Sequence, residues 1–362
     1  MDFEPKCRTT AMGIMPHKDP DRALALVFSL DIPFWPQLPR SSFSEDMFAQ
    51  FSRGFPGAAV DLEGRRVIFD SARFVEEVAA CAELMADPPA PAGGLDSSLT
   101  FSRFLAADFS DRPAIRGQVC GPVNFGFRVT DGEGKPIIYN DEVRAVLFEF
   151  ALGKVNAQYR LLRGKHPNAF VWVDEPGLGW VFNSFAGYSE LQAESDYREF
   201  LGRFEGPRAL HLCLNVHLPY LLGLGLDILS IDAFQLESMP RAYAEPIAGF
   251  LKGGGIISWG IVPTESMTLD PETPESLYRR LLAYWEVIEE NADISARFVA
   301  ERALIAPSKC CIKNAVRMDP SKSAGAEDDP PVCAPAQEET LVERAFQYVR
   351  EISGMLRERF GF

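Results

Sequence analysis

The sequence predicts an α/β protein of the (β/α)8 TIM-barrel class, a single domain over residues 1–362 with a closing C-terminal helix. Two observations carry that expectation. Short apolar runs alternate with long amphipathic stretches from one end to the other, which is the pattern of βαβ units and a parallel sheet. The length of 362 residues is one at which a closed barrel of this kind runs as one unit.

The apolar runs place strands at 10–15, 66–70, 114–120, 169–173, 209–214, 228–231, 255–260 and 302–305, several followed by Gly, Pro or a polar residue where a loop begins. The second also suits a hairpin in the long first connection. An open doubly wound sheet is the rival arrangement. Amphipathic stretches place helices at 141–163, 190–205, 240–251, 274–292 and 339–360. In the last, Leu341, Ala345, Tyr348, Val349 and Ile352 recur at helical spacing. Two segments break the alternation. Residues 87–96 form a Pro/Gly loop, and 317–339, rich in Pro, Ser, Ala and acids, read as a mobile excursion.

Composition narrows the function classes. Hydrophobic residues make up 47% and charged ones 24%, a balance with ample material for a core. The net charge of −15, from 51 acidic against 36 basic residues, argues against nucleic acid, whose phosphates need Lys and Arg. No apolar run approaches the ~18–20 residues of a membrane span. The start Met1-Asp2-Phe3-Glu4-Pro5-Lys6 lacks the order of a signal peptide, so a cytoplasmic location is expected. Seven cysteines, an odd and sparse set, point to thiols or metal ligands rather than a disulfide framework.

In barrels of parallel strands the active site lies at the strands' C-terminal ends, so the polar residues just after each apolar run are the ones to inspect. In Ala209-Leu210-His211-Leu212-Cys213-Leu214-Asn215 the imidazole and the thiol stand two residues apart. On a strand they project to one face, and N with S is a natural half-site for zinc. Alone, the same pair also describes a core histidine beside a core cysteine. Asp232 ends the next strand, and Cys310 and Cys311 follow the last one. These residues complete a candidate ligand set on three strand ends. Val173-Asp174-Glu175-Pro176 puts two acids at another strand end. They suit a helix cap or salt bridge, or a carboxylate aimed at a substrate ammonium. Cys120, in Gln118-Val119-Cys120-Gly121-Pro122, reads as a small buried hydrophobe.

Together these landmarks resemble the catalytic barrel of cobalamin-independent methionine synthase, in the short single-barrel branch of the uroporphyrinogen decarboxylase/methionine synthase-like superfamily. The resemblance runs nearly end to end. It is carried by Met12-Gly13-Ile14-Met15-Pro16-His17, Ile32-Pro33-Phe34-Trp35-Pro36-Gln37-Leu38-Pro39, Gln118-Val119-Cys120-Gly121-Pro122, Val173-Asp174-Glu175-Pro176, His211-Leu212-Cys213, Ile231-Asp232, Gly260-Ile261-Val262-Pro263-Thr264 and Ala306-Pro307-Ser308-Lys309-Cys310.

The resemblance implies a zinc-dependent methyltransferase. Zinc would be held by His211, Cys213, Asp232 and Cys310, with Cys311 the alternative because Lys309 reads as an inserted residue. Asp232 stands where the long enzymes carry glutamate. Asp174, with Glu175 beside it, would grip the amino-acid substrate, and Ile14 and Gln37 lie in the substrate-binding loops. The family's first loop reads Ile-Gly-Ser, whereas this chain has Ile14 at the serine position. The implied acceptor is a thiol, homocysteine first, giving methionine. The implied donor is methyl-folate or a methylated corrinoid protein. A corrinoid–coenzyme methyltransferase with another thiol, and a barrel that binds a corrinoid or tetrapyrrole without chemistry, are the alternatives.

Overall fold

The computed structural model describes residues 3–86, 98–182, 187–214, 217–311 and 335–362. Among these residues nine strands are formed: β1 (Arg8–Thr9), β2 (Ala58–Asp61), β3 (Arg66–Phe69), β4 (Ile115–Cys120), β5 (Ala169–Asp174), β6 (Arg208–Leu212), β7 (Ile228–Asp232), β8 (Ile256–Val262) and β9 (Ala303–Pro307). Seven make one sheet in the order β1-β9-β8-β7-β6-β5-β4, and each pair in it is parallel. With helices between the strands, this is the curled parallel sheet of a TIM-like barrel.

The place between β1 and β4 is not a regular eighth strand. Residues 32–37 pass there in extended form. The amide of Ile32 donates to the Thr9 carbonyl (3.0 Å), that of Arg116 to Pro33 (3.1 Å), and that of Gln37 to Gly13 (2.8 Å). Only isolated parallel bridges result, Ile14 with Gln37 and Phe34 with Arg116. Pro33 and Pro36 have no amide hydrogen to give, so a continuous ladder is closed to this segment. Side chains supply what the backbone lacks. Thr10 Oγ1 donates to the Ile32 carbonyl (3.1 Å) and Gln118 Nε2 to that of Trp35 (2.7 Å).

This seam corrects one expectation. The strand expected over 10–15 does not form; regular pairing lies just before it, at Arg8–Thr9, because the neighbouring segment cannot ladder. The strand placed at 66–70 is β3, and it takes the hairpin alternative, paired antiparallel with β2. Residues 87–96 lie outside the described residues, as do 317–334. Residues 335–339, expected to be loop, already belong to the C-terminal helix Pro335–Phe360.

Helices form where caps and periodicity agree. Asn140 caps Asp141–Arg163 by accepting from the amides of Glu142 and Val143, with acids in the first turn and arginines in the last. Thr273 and Ser276 make a reciprocal capping box for Pro274–Asn291. The C-terminal helix buries Val342, Ala345, Phe346, Val349, Ile352 and Leu356. Its first turns are tied to the N-terminal region by Arg40–Glu338 (2.9 Å), Arg22–Glu339 (2.8 Å) and Arg22–Glu343 (2.6 Å). No described helix is long and apolar enough to cross a membrane.

Two cores follow from the period of two along each strand. One residue parity faces the helices, as with Val119, Val171, Leu210, Leu229, Ile257 and Ile305. The other parity faces inward, where Ala114, Phe170, Ala209, Ile228, Ile256 and Leu304 plug the interior. Gly260 sits where strands crowd. A Cβ there would meet the Ile231 carbonyl oxygen and come within 2.8 Å of Ser308 Cα, and backbone atoms cannot move aside cheaply. Gly260→Ala is therefore expected to lower stability by about 1–3 kcal/mol. Gly202→Ala, whose new methyl meets nothing within 4 Å, should be neutral or stabilising. Urea unfolding of the two variants beside the unaltered protein checks the contrast, and equal effects would contradict it.

Candidate functional site

The inward parity that is apolar at the bottom of the strands becomes polar toward their C-terminal ends. On β4 it carries Arg116 and Gln118, on β5 Trp172 and Asp174, on β6 His211, on β7 Ser230 and Asp232, and on β8 Ser258 and Gly260. The ladder puts Asp174 beside His211, His211 beside Ser230, and Ser230 beside Ser258. Cys213 follows β6 directly, and Cys310 lies three residues past β9. Asp174, His211, Asp232, Cys213 and Cys310 thus lie toward one rim of the sheet.

His211 is buried, and its ring lies stacked against Trp172 with centroids 6.1 Å apart. Nδ1 meets Ser230 Oγ at 3.0 Å, while Nε2 is buried without a hydrogen-bond partner among the described residues. Burial, helped by the charge of Arg116, lowers its pKa to about 3, so the imidazole is neutral at physiological pH. Asp174 is buried, and its Oδ2 accepts from Cys310 Sγ at 3.6 Å while Oδ1 has no partner among the described residues. Burial raises its pKa to about 6, against the pull of Cys310, Arg128 and Arg116.

Asp232 is raised to about 7 by burial, opposed by the Gln235 amide (3.1 Å from Oδ1) and by the charge of Lys309. Lys309 is itself paired with Glu265 at 2.9 Å. The half-buried thiols of Cys213 and Cys310 are both pushed up, by burial first and then by neighbouring negative groups. For Cys213 these are Asp174 and Asp232, and for Cys310 they are Asp174 and Cys213. Cys311 is different. It packs in the helix-side core, its amide donates to the Ile14 carbonyl (3.3 Å), and burial alone raises its thiol to about 12.

Glu175 turns the other way from Asp174. One oxygen accepts from the Val123 amide (3.0 Å) and from the Tyr197 hydroxyl, the other from the Asn124 amide. It is fully buried, and burial raises its pKa to about 8 against these three donors. The carboxylate caps the helix Pro122–Arg128 and anchors it to Glu190–Gly202, which carries Tyr197. The capping role that two acids at a strand end allowed has fallen to Glu175, which leaves Asp174 as the acid of the rim.

Ile14 and Gln37 form a second, connected set. They face each other across their isolated bridge, both buried. Gln37 Nε2 donates to Gln50 Oε1 (2.7 Å), and Gln37 lines a small cleft beside β4 with Trp35, Gln50, Gln118, Lys154 and Gln158. Burial lowers the Lys154 pKa to about 7, and its Nζ donates to the carbonyls of Gln50 (3.2 Å) and Arg53 (3.1 Å). Cys120 is buried, with Asn124 Nδ2 3.6 Å from its sulfur, as a small core residue.

Sequence reading missed Arg116. Its guanidinium is fully buried inside the sheet, 4.5 Å from the centroid of Phe34 and 3.9 Å from that of Trp172. Nε donates to Thr10 Oγ1 and Nη1 to Gln118 Oε1, each at 3.1 Å. The signal was present, because Arg116, Gln118 and Cys120 alternate with Ile115, Gly117 and Val119 and so share the inward face.

No family model and no curated protein matches the chain. Likeness is found among solved structures. A methyltransferase from Methanosarcina mazei superposes with a TM-score of 0.50 at 13% identity, covering 96% of this chain and 94% of that one. The two share a fold. A B12-independent methionine synthase from Shewanella sp. W3-18-1, in complex with selenomethionine, gives a TM-score of 0.44 at 13% identity over 68% of this chain. The chain spans 63% of that synthase's length.

Among the described residues no three of His, Cys, Asp and Glu are gathered as a ready metal cluster. The donor types nevertheless suit zinc: a buried neutral imidazole with an unpartnered Nε2 and its other nitrogen fixed by Ser230, with thiols and acids on the same rim. The roles of the two neighbouring acids separate in stability measurements. Glu175→Ala strands three buried donors and is expected to cost on the order of 3 kcal/mol, whereas Asp174→Asn should cost far less. Similar losses of unfolding free energy in the two would contradict this division.

Proposed function

We propose that the protein is a methyltransferase that moves a methyl group to a thiol with the help of zinc held at the rim. The observation that carries the reading is His211. It is a buried, neutral imidazole oriented by Ser230, with Nε2 unpartnered among the described residues and two thiols and two acids at neighbouring strand ends. The shared fold with a Methanosarcina mazei methyltransferase is consistent with it.

The proposed ligands are His211, Cys213, Asp232 and Cys310. Bound zinc supplies Lewis acidity that lowers the pKa of an incoming thiol and yields a thiolate at neutral pH. The chain's own residues do the rest. Ser230 holds Nδ1 of the His211 ring, which leaves Nε2 as the nitrogen to bind metal. Trp172 and the apolar plug below keep bulk water from the floor of the site. Asp174 presents an unpartnered Oδ1 that suits the ammonium of an amino-acid acceptor. Homocysteine is the proposed acceptor, giving methionine, with methyl-folate or a methylated corrinoid protein as donor. The alkyl side chain of Ile14 offers no hydrogen bond, which favours a second reading with another thiol as acceptor.

Three outcomes test the reading. Protein reconstituted with zinc should hold about one metal per chain, and His211→Ala or Cys213→Ser should lose most of it by elemental analysis. A metal-free protein that is folded and active would sink the zinc proposal. For the doublet, Cys310→Ser should lose zinc while Cys311→Ser keeps it, because Cys310 faces Asp174 and Cys311 faces the core. The reverse pattern would move the ligand to Cys311. For the acceptor, homocysteine-dependent demethylation should appear with a folate or corrinoid donor, and Ile14→Ser should lower or hold its Michaelis constant. If neither protein demethylates either donor with homocysteine, the acceptor is another thiol.

A further inference from the structure

Below the rim the sheet encloses a charge with no counter-ion in contact. Arg116 is fully buried on the inward face of β4, and none of the ion pairs among the described residues involves it. Arginine stays protonated in proteins, so its charge persists even though burial pushes its pKa well down. A guanidinium buried without an ion-pair partner is destabilising unless other contacts offset its desolvation. Stacking between Phe34 and Trp172 offsets part of that. Hydrogen bonds to Thr10, Gln118 and the Gly117 carbonyl use Nε and Nη1. Nη2 has no partner among the described residues, nor has Trp172 Nε1 or Ser258 Oγ.

These atoms belong to one interior. The guanidinium lies 3.9 Å over the Trp172 ring, and the ladder sets Ser258 beside Ser230, whose hydroxyl holds His211. The same Trp172 ring stacks against His211, with centroids 6.1 Å apart. The subsite is therefore a short step below the rim, and the facing charged group is Asp174, which turns Oδ2 to Cys310. Donors without acceptors beside a buried cation are the complement of a compact anion.

We infer that Arg116, with Trp172 Nε1 beside it, forms an anion subsite in the interior below the rim, so that the acceptor thiol carries a carboxylate or a similarly compact anionic group. The inference deepens the proposed function and rests on the rim being the thiol site. Arg116 is then a specificity-determining residue, and a zwitterionic thiol would place its two charges between Asp174 and Arg116.

The test crosses charge with thiol. Calorimetric titration of the zinc-loaded full chain compares 3-mercaptopropionate, 3-mercapto-1-propanol, propionate and 1-propanol. Each acid should bind about tenfold or more tightly than its alcohol, the scale of one or two charge-assisted hydrogen bonds. Arg116→Gln should erase that preference while leaving the affinity for 3-mercapto-1-propanol unchanged. Absence of acid preference in both pairs, or its survival in Arg116→Gln, overturns the inference, and so does a variant whose sole change is a lower Tm. If instead acids are preferred but thiols bind no better than their thiol-free partners, the anion subsite stands and the thiol reading fails. Should Arg116→Gln not fold, Trp172→Phe replaces it: the ring remains over the guanidinium and Nε1 is lost. A several-fold loss confined to the acids is expected there, and full retention overturns the inference.

Discussion

Alternation along a parallel strand is the constraint on which the site depends. Because successive side chains point to opposite faces, one parity on β4 to β9 must pack under the helices and the other must fill the interior. The helix-side parity is apolar apart from Arg208 at the start of β6. The inward parity changes character with height: alanine, phenylalanine, isoleucine and leucine form the plug, and Arg116, Trp172, Asp174, His211, Ser230 and Asp232 stand above it. The plug keeps the lower interior dry, and that dryness perturbs every titratable group above it. Asp174 and Asp232 rise, His211 falls, and both rim thiols are pushed up. The electrostatic state of the rim is thus set by packing beneath it.

The turn after β5 shows how two adjacent acids acquire different work. Asp174 keeps strand geometry and inward parity, so it reaches the rim. Glu175, the next residue, falls on the other side of the wall, where the amides of Val123 and Asn124 begin a helix that needs acceptors. Gly121 is small because the Glu175 carboxylate passes over it. Gly177 is likewise small where it meets the backbone of Asn124, 2.6 Å from an added Cβ to Asn124 Cα. The two βα turns are therefore locked to each other, and Cys120 and Asp174, their last strand residues, are held in register.

Much of this was legible in the residues. Strong apolar runs between clear loop signals gave β4 to β9 to within a residue or two, and the 3.6-residue period gave Asp141–Arg163 at both ends. His211 with Cys213 and the acids after β5 and β7 stood out because inward parity can be counted. The first turn of the barrel was not legible. Its strand is two residues long, and the segment beside it contains prolines, so periodicity had nothing to register. Arg116 was hidden for another reason: a charged residue in an apolar run reads as a surface position, and its shared parity with Gln118 and Cys120 was the one signal against that. The division between Asp174 and Glu175 needed the position of a neighbouring helix, which no local pattern contains.

The proline segment has a consequence for how the ring tolerates change. Elsewhere the circumference is held by backbone ladders, which almost any side chain leaves intact. At residues 32–37 a few isolated backbone bonds are supplemented by Thr10 Oγ1 and Gln118 Nε2 reaching the carbonyls of Ile32 and Trp35, and Thr10 Oγ1 also receives Arg116 Nε. Side-chain identity there shares the work that the peptide bond does alone in the rest of the sheet. Drift at these few positions would loosen the wall at its weakest ladder, so this seam is the stretch where the sheet's curl is written partly in residue type.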